Sequence, residues 1–310
     1  MRIVFMGTPE SAVPSLQRLL QDGHDIAAVW TQPDRPAGRG DRMHSPPIKE
    51  FALDHGLPLE QPLKIRIEQA KNLFASYDAD VAVVVAYGRL LPAEFLRAPR
   101  RGCINVHFSL LPLYRGAAPA NWAIVNGEAK TGVTTMFIEE DLDTGPILLQ
   151  RETEIGETET APELMRRLSV IGADLLGETL NQLDTLTPRP QHSDDATFAP
   201  MLKKNDGIVD WSRDAAHIER CVRGLQPWPT AYTSHSQRRL IIWKATAEAS
   251  ALVAQPGEVI FAHGDDLLVK CGDATALRLL EVQPEAKRRL SVRDFLNGTH
   301  LKVGDRFGEV

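Results

Sequence analysis

Cysteine is scarce in this 310-residue chain: Cys103, Cys221 and Cys271 lie far apart, with no Cys-x-x-Cys pair. That argues against a structural zinc site and against a disulfide framework, and the three read as buried or half-buried thiols of a reducing compartment. No apolar run approaches the ~20 residues that span a bilayer, and the opening MRIVFMGTPE lacks the basic-then-apolar layout of a signal peptide. The first strand candidate runs into Gly7-Thr8-Pro9-Glu10 with a single glycine. A dinucleotide fingerprint needs further glycines for pyrophosphate approach and helix packing, so nicotinamide and flavin roles are disfavoured. There is no Walker loop, no internal repeat and no low-complexity segment.

What is present is an ordinary globular balance of 43% hydrophobic and 25% charged residues, at a length comfortable for two domains. Net charge is −6, not the profile of a whole-chain nucleic-acid binder, but it is unevenly spread. Residues 201–310 hold 16 Lys and Arg against 14 Asp and Glu; residues 1–200 hold the remaining 19 against 27. A mildly basic tail on an acidic body permits phosphate contacts.

Hydrophobic spacing predicts strands at 2–6, 26–30, 81–86 and 104–108, and helices at 11–21, 47–55, 68–77 and 119–126. Residues 81–86 are almost wholly Val and Ala, as in a central parallel strand. The Pro/Gly/Arg-rich stretch 32–47 reads as a loop. The alternation predicts an α/β fold with a doubly wound, mostly parallel, Rossmann-like sheet. Residues 132–139 and 147–155 flank a long hairpin tip, and a helix at 160–184 closes the domain. The polar, proline-bearing stretch that follows reads as a linker. Short strands near 232, 240–243, 257–260, 266–270 and 276–282, with a helix at 214–223, predict a small β domain. The expected boundaries are 1–189 for the first domain, 190–206 for the linker and 207–310 for the second.

The densest polar signal is Asn105-Val106-His107. Residues i and i+2 of a strand face the same way, so carboxamide and imidazole project together at the C-terminal end of a parallel strand, where open α/β sheets place their sites. A carboxamide donates to a developing oxyanion, and an imidazole donates to it or moves a proton. Asp143, in the hairpin tip, is the best candidate for a carboxylate that orients the histidine or holds a water. The spacing alone fits a structural pair as readily as a catalytic one. His24, His44 and His55 lack ligand spacing, so no metal is expected.

The surrounding sequence decides between them. Asn105-Val-His107-Phe-Ser109-Leu-Leu-Pro112-Leu-Tyr-Arg115-Gly116-Ala-Ala-Pro119 resembles the signature of the 10-formyltetrahydrofolate-dependent formyltransferases, and Leu142-Asp143-Thr144-Gly145 resembles the family's second motif. The likeness covers essentially the whole chain and is strongest to the branch acting on methionyl-tRNA. It extends through Phe5-Met-Gly-Thr-Pro9, Thr31-Gln-Pro-Asp-Arg-Pro-Ala-Gly-Arg-Gly40, Val85-Ala-Tyr-Gly88 before Leu91-Pro92, and Gly224-Leu-Gln-Pro-Trp-Pro229. The resemblance implies that the second domain is an OB-like β barrel. It also implies that Asn105, His107 and Asp143 act together at the formyl carbon. The mechanism expected from these side chains is direct attack by methionine's α-amine on initiator tRNA, with Asn105 and protonated His107 stabilising the oxyanion and Asp143 holding the histidine or a relaying water. The formyl donor, 10-formyltetrahydrofolate, is implied to bind at Val85, Ala86, Tyr87, Gly88, Leu91, Pro92, Ser109, Leu110, Leu111, Pro112 and Asp141. Phe108 departs from the smaller residue that many relatives carry, which bears on pocket volume.

In the loop from Asp34 to Arg42, Arg35, Arg39 and Arg42 offer bidentate phosphate contacts or stacking on bases. The resemblance implies that this loop enters the acceptor-stem region, with Arg39 important for it. Lys203 and Lys204 are further tRNA candidates, and Lys287-Arg288-Arg289 is as readily a solvated face. Trp211 and Trp228 read as packing anchors rather than base-stacking platforms. The expected protein is a cytoplasmic monomer that binds a folate and a tRNA and no membrane. The rivals are a formyltransferase for a small amine, a hydrolase releasing formate from the folate, and a non-catalytic RNA-binding module.

Overall fold

The structure, a computed structural model, describes residues 1–37 and 42–308. Its contacts group into two compact units. The first comprises Met1–Pro119, Thr131–Glu154 and Met165–Ala199; the second comprises Ala120–Lys130, Ile155–Leu164 and the chain from Pro200 on.

In the first unit the elements run β1 (Arg2–Gly7), α1 (Val13–Gln21), β2 (Asp25–Trp30), β3 (Arg35–Ala37), β4 (Arg42–His44), α2 (Pro47–Asp54), β5 (Leu59–Glu60), α3 (Glu68–Ser76), β6 (Val81–Val85), α4 (Ala93–Arg97), β7 (Cys103–His107) and β8 (Arg115–Gly116). After α5 (Pro119–Asn126) come β9 (Lys130–Phe137), β10 (Ile147–Glu154), α6 (Ala161–Gln182) and β11 (Phe198–Ala199). The sheet order is β10-β9-β7-β6-β1-β2-β5. Its centre, β7 to β5, is parallel, and β9 joins antiparallel to β7.

The five residues of β6, Val-Ala-Val-Val-Val, are all buried, because helices cover both faces of the sheet. One face sets Val4, Met6, Trp30, Ala82, Val84 and Cys103 against Phe74 of α3 and Phe95 of α4. Trp30 meets both phenyl rings edge-on at 5.4 Å. On the other face α6 crosses β7 and β9 so closely that a side chain at Gly172 would stand 2.9 Å from Val106 Cγ1. The chain winds outward in opposite directions from β1 and β6, and the C-terminal ends of these neighbouring strands mark the topological switch point. The stretch read as a plain loop at 32–47 carries the β3–β4 ladder, with Arg35 opposite His44.

In the second unit α7 (Ala215–Gly224) is capped by Asp214, whose carboxylate accepts from His217 N at 2.8 Å. Strands β12 (Ala231–His235), β13 (Arg238–Ala249), β14 (Val259–His263), β15 (Asp266–Lys270), β16 (Thr275–Pro284) and β17 (Leu290–Ser291), with α8 (Val292–Asn297), complete it. The sheet is antiparallel throughout, ordered β12-β13-β16-β15-β14 with β17 on β16, as in a small barrel-like domain. Its core gathers Ile218, Val222, Ile242, Val259, Leu267, Val269, Leu279 and Val282. Helix α5 belongs to this unit because Asn121 Nδ2 donates to Gly224 O at 2.7 Å, and a Cβ on Gly224 would crowd Val125.

The two tryptophans part ways. Trp211 is 5% exposed and donates to Thr233 Oγ1 at 3.1 Å, as an anchor does. Trp228 is 55% exposed, which corrects the expectation for it. Leu225 and Thr230 hold the inward positions of its turn, closed by Thr230 N to Leu225 O at 2.9 Å, and the indole is left at the apex.

Candidate active site

Strand β7 alternates its side chains between the two faces, so Asn105 and His107 emerge together on the side of Cys103. Asn105 is half-buried, and its carboxamide has no hydrogen-bond partner among the described residues. His107, 5% exposed, lies with Nε2 3.0 Å from Tyr114 O. A carbonyl can only accept, so the imidazole proton sits on Nε2 and donates there. Nδ1 is left facing Asp143 Oδ2 at 3.6 Å.

Asp143 comes from the connection between β9 and β10. Its backbone is left-handed, with φ of 54°. Gly116 N donates to the same Oδ2 at 2.9 Å, which fixes the carboxylate beside the imidazole. The tip closes tightly: a Cβ on Gly145 would stand 1.9 Å from Phe137 O. Gln191 also binds this tip, donating to the carbonyls of Asp143 and Gly145. Its stretch of sequence read only as linker, and nothing in the local pattern marked it.

Beyond β6 the chain turns through Ala86 and Gly88, both at positive φ. Tyr87 between them is buried, and its carbonyl accepts from Thr8 Oγ1 and Gln32 Nε2, each at 3.1 Å. The ends of β1, β2 and β6 are thereby tied together, and burial pushes the Tyr87 hydroxyl up to about 12. Val85 ends the strand, Leu91 is half-buried, and buried Pro92 precedes α4. Next to this turn, Lys64, Ile65, Arg66, Ile67, Arg89 and Leu90 line a cleft of about 510 Å³. Ser109 Oγ donates to Leu113 O at 2.6 Å, Leu110 overlies Gly132, and Pro112 follows a cis bond. Asp141 is exposed on the tip.

The side chain of Leu111 turns inward. It is 3% exposed and packs with Met136 and Ile147. The Leu111 N–H donates to Thr134 Oγ1 at 3.1 Å and its carbonyl accepts from Gln150 at 2.8 Å.

Of the basic residues, Arg35 is exposed, 3.5 Å from Gln32 Oε1. The start of its loop is fastened at Asp34 by Lys49 (2.6 Å) and Gln61 (2.9 Å), which together hold the carboxyl below its ordinary pKa. Arg39 lies outside the described residues, and Arg42 is described only by its place in β4. Lys203 and Lys204 are exposed beside a 3-10 turn in the second unit. Arg289 lies 3.4 Å over the Trp243 ring. Among the described residues no cluster of His, Cys, Asp and Glu could hold a metal, and no helix is long and apolar enough to cross a membrane.

With this geometry in view, the comparisons are direct. The formyl transferase family model matches residues 1–180, and the formyl transferase C-terminal domain model matches residues 201–300. The chain belongs to the formyl transferase family. It is 45% identical to methionyl-tRNA formyltransferase of Alkaliphilus oremlandii, covering 100% of both chains. It is 47% identical to methionyl-tRNA formyltransferase of Citrifermentans bemidjiense, covering 100% of this chain and 97% of that one. Among solved structures, the N-formyltransferase of Helicobacter canadensis in complex with folinic acid and dTDP-3-aminofucose shares the fold (TM-score 0.66, 18% identity, 91% and 98% covered). So does HypX of Aquifex aeolicus in complex with tetrahydrofolic acid (TM-score 0.62, 18% identity, 96% and 47% covered). In this formyl transferase chain the first family module carries Asn105, His107 and Asp143, and the second coincides with the barrel-like sheet.

Proposed function

We propose that the chain transfers the formyl group of 10-formyltetrahydrofolate to the α-amino group of methionine on initiator methionyl-tRNA, giving N-formylmethionyl-tRNA for translation initiation. The observation that carries this reading is the end-to-end likeness to methionyl-tRNA formyltransferases at 45–47% identity. The sugar-directed neighbours support the fold at only 17–18%.

The site's chemistry fits a formyl transfer without a covalent enzyme intermediate. The thiol of Cys103 is buried, pushed up to about 12, and turned to Phe95 O; the Ser109 hydroxyl is taken by Leu113 O. Asn105, with its amide free, donates to the formyl oxygen as charge develops there. His107 keeps its Nε2 proton on Tyr114 O, so Nδ1 is the ring nitrogen left to take and return a proton. Asp143, locked by Gly116 N, stabilises the imidazolium that forms. The folate fits the turn at Val85, Ala86, Tyr87 and Gly88, with Leu91, Pro92, Ser109, Leu110, Leu111, Pro112 and Asp141 around it. The neighbouring cleft suits its acidic tail, because Lys64, Arg66 and Arg89 stand beside apolar walls. Residues 1–189 carry catalysis, and 190–206 link them to a tRNA-binding domain at 207–310. Arg35, Arg39, Arg42, Lys203 and Lys204 contact tRNA phosphates. The enzyme acts as a monomer in the cytoplasm, all three catalytic groups coming from one chain.

The test is transfer of labelled formyl from 10-formyltetrahydrofolate to charged initiator tRNA, beside charged elongator methionine tRNA, free methionine and an amino-sugar nucleotide. Labelling of initiator tRNA alone is expected; labelling of a small amine instead overturns the acceptor. His107→Ala should lower turnover by about 10²–10⁴-fold with folate binding kept, and near-normal turnover would sink the assignment.

A further inference from the structure

Asp143 can serve His107 only while the tip that carries it stays in place, and a side chain outside every recognised motif grips that tip. Gln191 spends its amide nitrogen on two backbone acceptors, Asp143 O at 2.9 Å and Gly145 O at 2.7 Å. Its carbonyl oxygen in turn accepts from Nε (3.1 Å) and Nη2 (2.8 Å) of Arg115. Arg115 is only 7% exposed, and no carboxylate lies within ion-pair distance of its guanidinium among the described residues. A buried cation is costly, and this one is used on a neutral amide that it holds in a fork of two donors.

The arrangement closes on itself. Gly116, the residue after Arg115, donates its N–H to Asp143 Oδ2 at 2.9 Å. Asp143 is therefore gripped at its carboxylate by Gly116 and at its carbonyl by Gln191, and both grips lead back to strand β8. That strand is pinned by Arg115 N to Thr197 O at 2.8 Å and by its pairing with β11. Gln191 itself is placed by the paired bonds between Arg189 and Ile147, both 2.8 Å. The left-handed backbone of Asp143 is a conformation that a residue other than glycine keeps only where its surroundings impose it.

We propose that Gln191, held by Arg115, is a positioning residue for formyl transfer: it sets the Asp143 carboxylate at its distance from the His107 imidazole. The inference rests on the catalytic reading of Asp143 given above.

Gln191→Glu separates positioning from packing. It keeps, and strengthens, the acceptor for Arg115 but replaces the donor with a carboxylate oxygen facing two carbonyls. Gln191→Met fills the same space with neither function and serves if the glutamate does not fold. In either variant kcat for formyl transfer should fall by about 10²-fold, the scale of an ångström's misplacement of a reacting group. KM for the folate should stay within about twofold of wild type. In an Asp143→Asn background the same substitution should cost less than about threefold, because its effect runs through the group already removed. Amide hydrogen exchange over residues 138–146 should quicken. Equal fold losses in the two backgrounds, or unchanged exchange at the tip, would overturn the proposal. The exchange readout decides positioning even where wild-type protein labels no tRNA, an outcome that instead removes the functional reading.

Discussion

Asn105 and His107 share one face of β7, yet they are held in opposite ways. The imidazole is held at Nε2 by Tyr114 O and faces Asp143 across 3.6 Å at Nδ1, whereas the carboxamide has no hydrogen-bond partner among the described residues. A group kept free of partners contributes little to folding and retains its full capacity for a ligand. Asn105→Ala should therefore lower kcat by about 10²–10³-fold, the usual cost of an oxyanion donor, while unfolding free energy changes by less than about 0.5 kcal/mol. Steady-state kinetics and a thermal melt check this; a large loss of stability with activity intact would reassign the residue to structure. The Asn105/His107 pair was legible in sequence because strand periodicity alone puts i and i+2 on one face. Gln191 was not, since its partners are backbone carbonyls more than forty positions away and leave no residue pattern.

At the scale of elements, the site depends on how closely α6 lies over β7. Glycine inside a helix ordinarily costs about 1 kcal/mol relative to alanine, so Gly172→Ala would stabilise an isolated helix. Here the added methyl would stand 2.9 Å from Val106 Cγ1, 3.4 Å from Val133 Cγ1 and 3.5 Å from the Phe108 ring. Branched valine side chains on strands cannot swing aside cheaply, and overpacking costs about 1–3 kcal/mol. The crowding outweighs the propensity gain, so Gly172→Ala should lower Tm by roughly 2–4 °C. Val106 lies between Asn105 and His107, and kcat measured well below Tm should fall as well. A variant as stable as wild type would show that the helix can lift without disturbing the strand. Phe108, the large residue expected to bear on pocket volume, spends its ring in this helix contact. The elements that were legible beforehand, β6 above all, are those whose burial on both faces writes an unbroken apolar run. The β3–β4 ladder was not, because the arginines, prolines and glycines of the 32–47 sequence spell a loop and only the pairing reveals strands.

At the scale of the whole molecule, charge sets the terms on which RNA can bind. A chain of net charge −6, with 27 acidic against 19 basic residues in its first 200 positions, repels a polyanion on average. Phosphate affinity must then come from local clusters, and each neutralised phosphate releases counterions. The logarithm of KM for charged tRNA should rise linearly with the logarithm of salt concentration, by about 0.7–0.9 per phosphate contact. Removing Lys203 and Lys204 together, by Lys203→Ala and Lys204→Ala, should flatten that slope by about 1.4–1.8 if each holds one phosphate. KM for the folate should not change. Arg289 gives a control of different kind: its guanidinium already lies over Trp243, so Arg289→Ala should leave the slope nearly as it was. Equal slopes for wild type and the double lysine variant would return Lys203 and Lys204 to plain solvated surface. The contacts would then fall to the arginine loop, where Arg35→Ala is the variant to measure by the same slope.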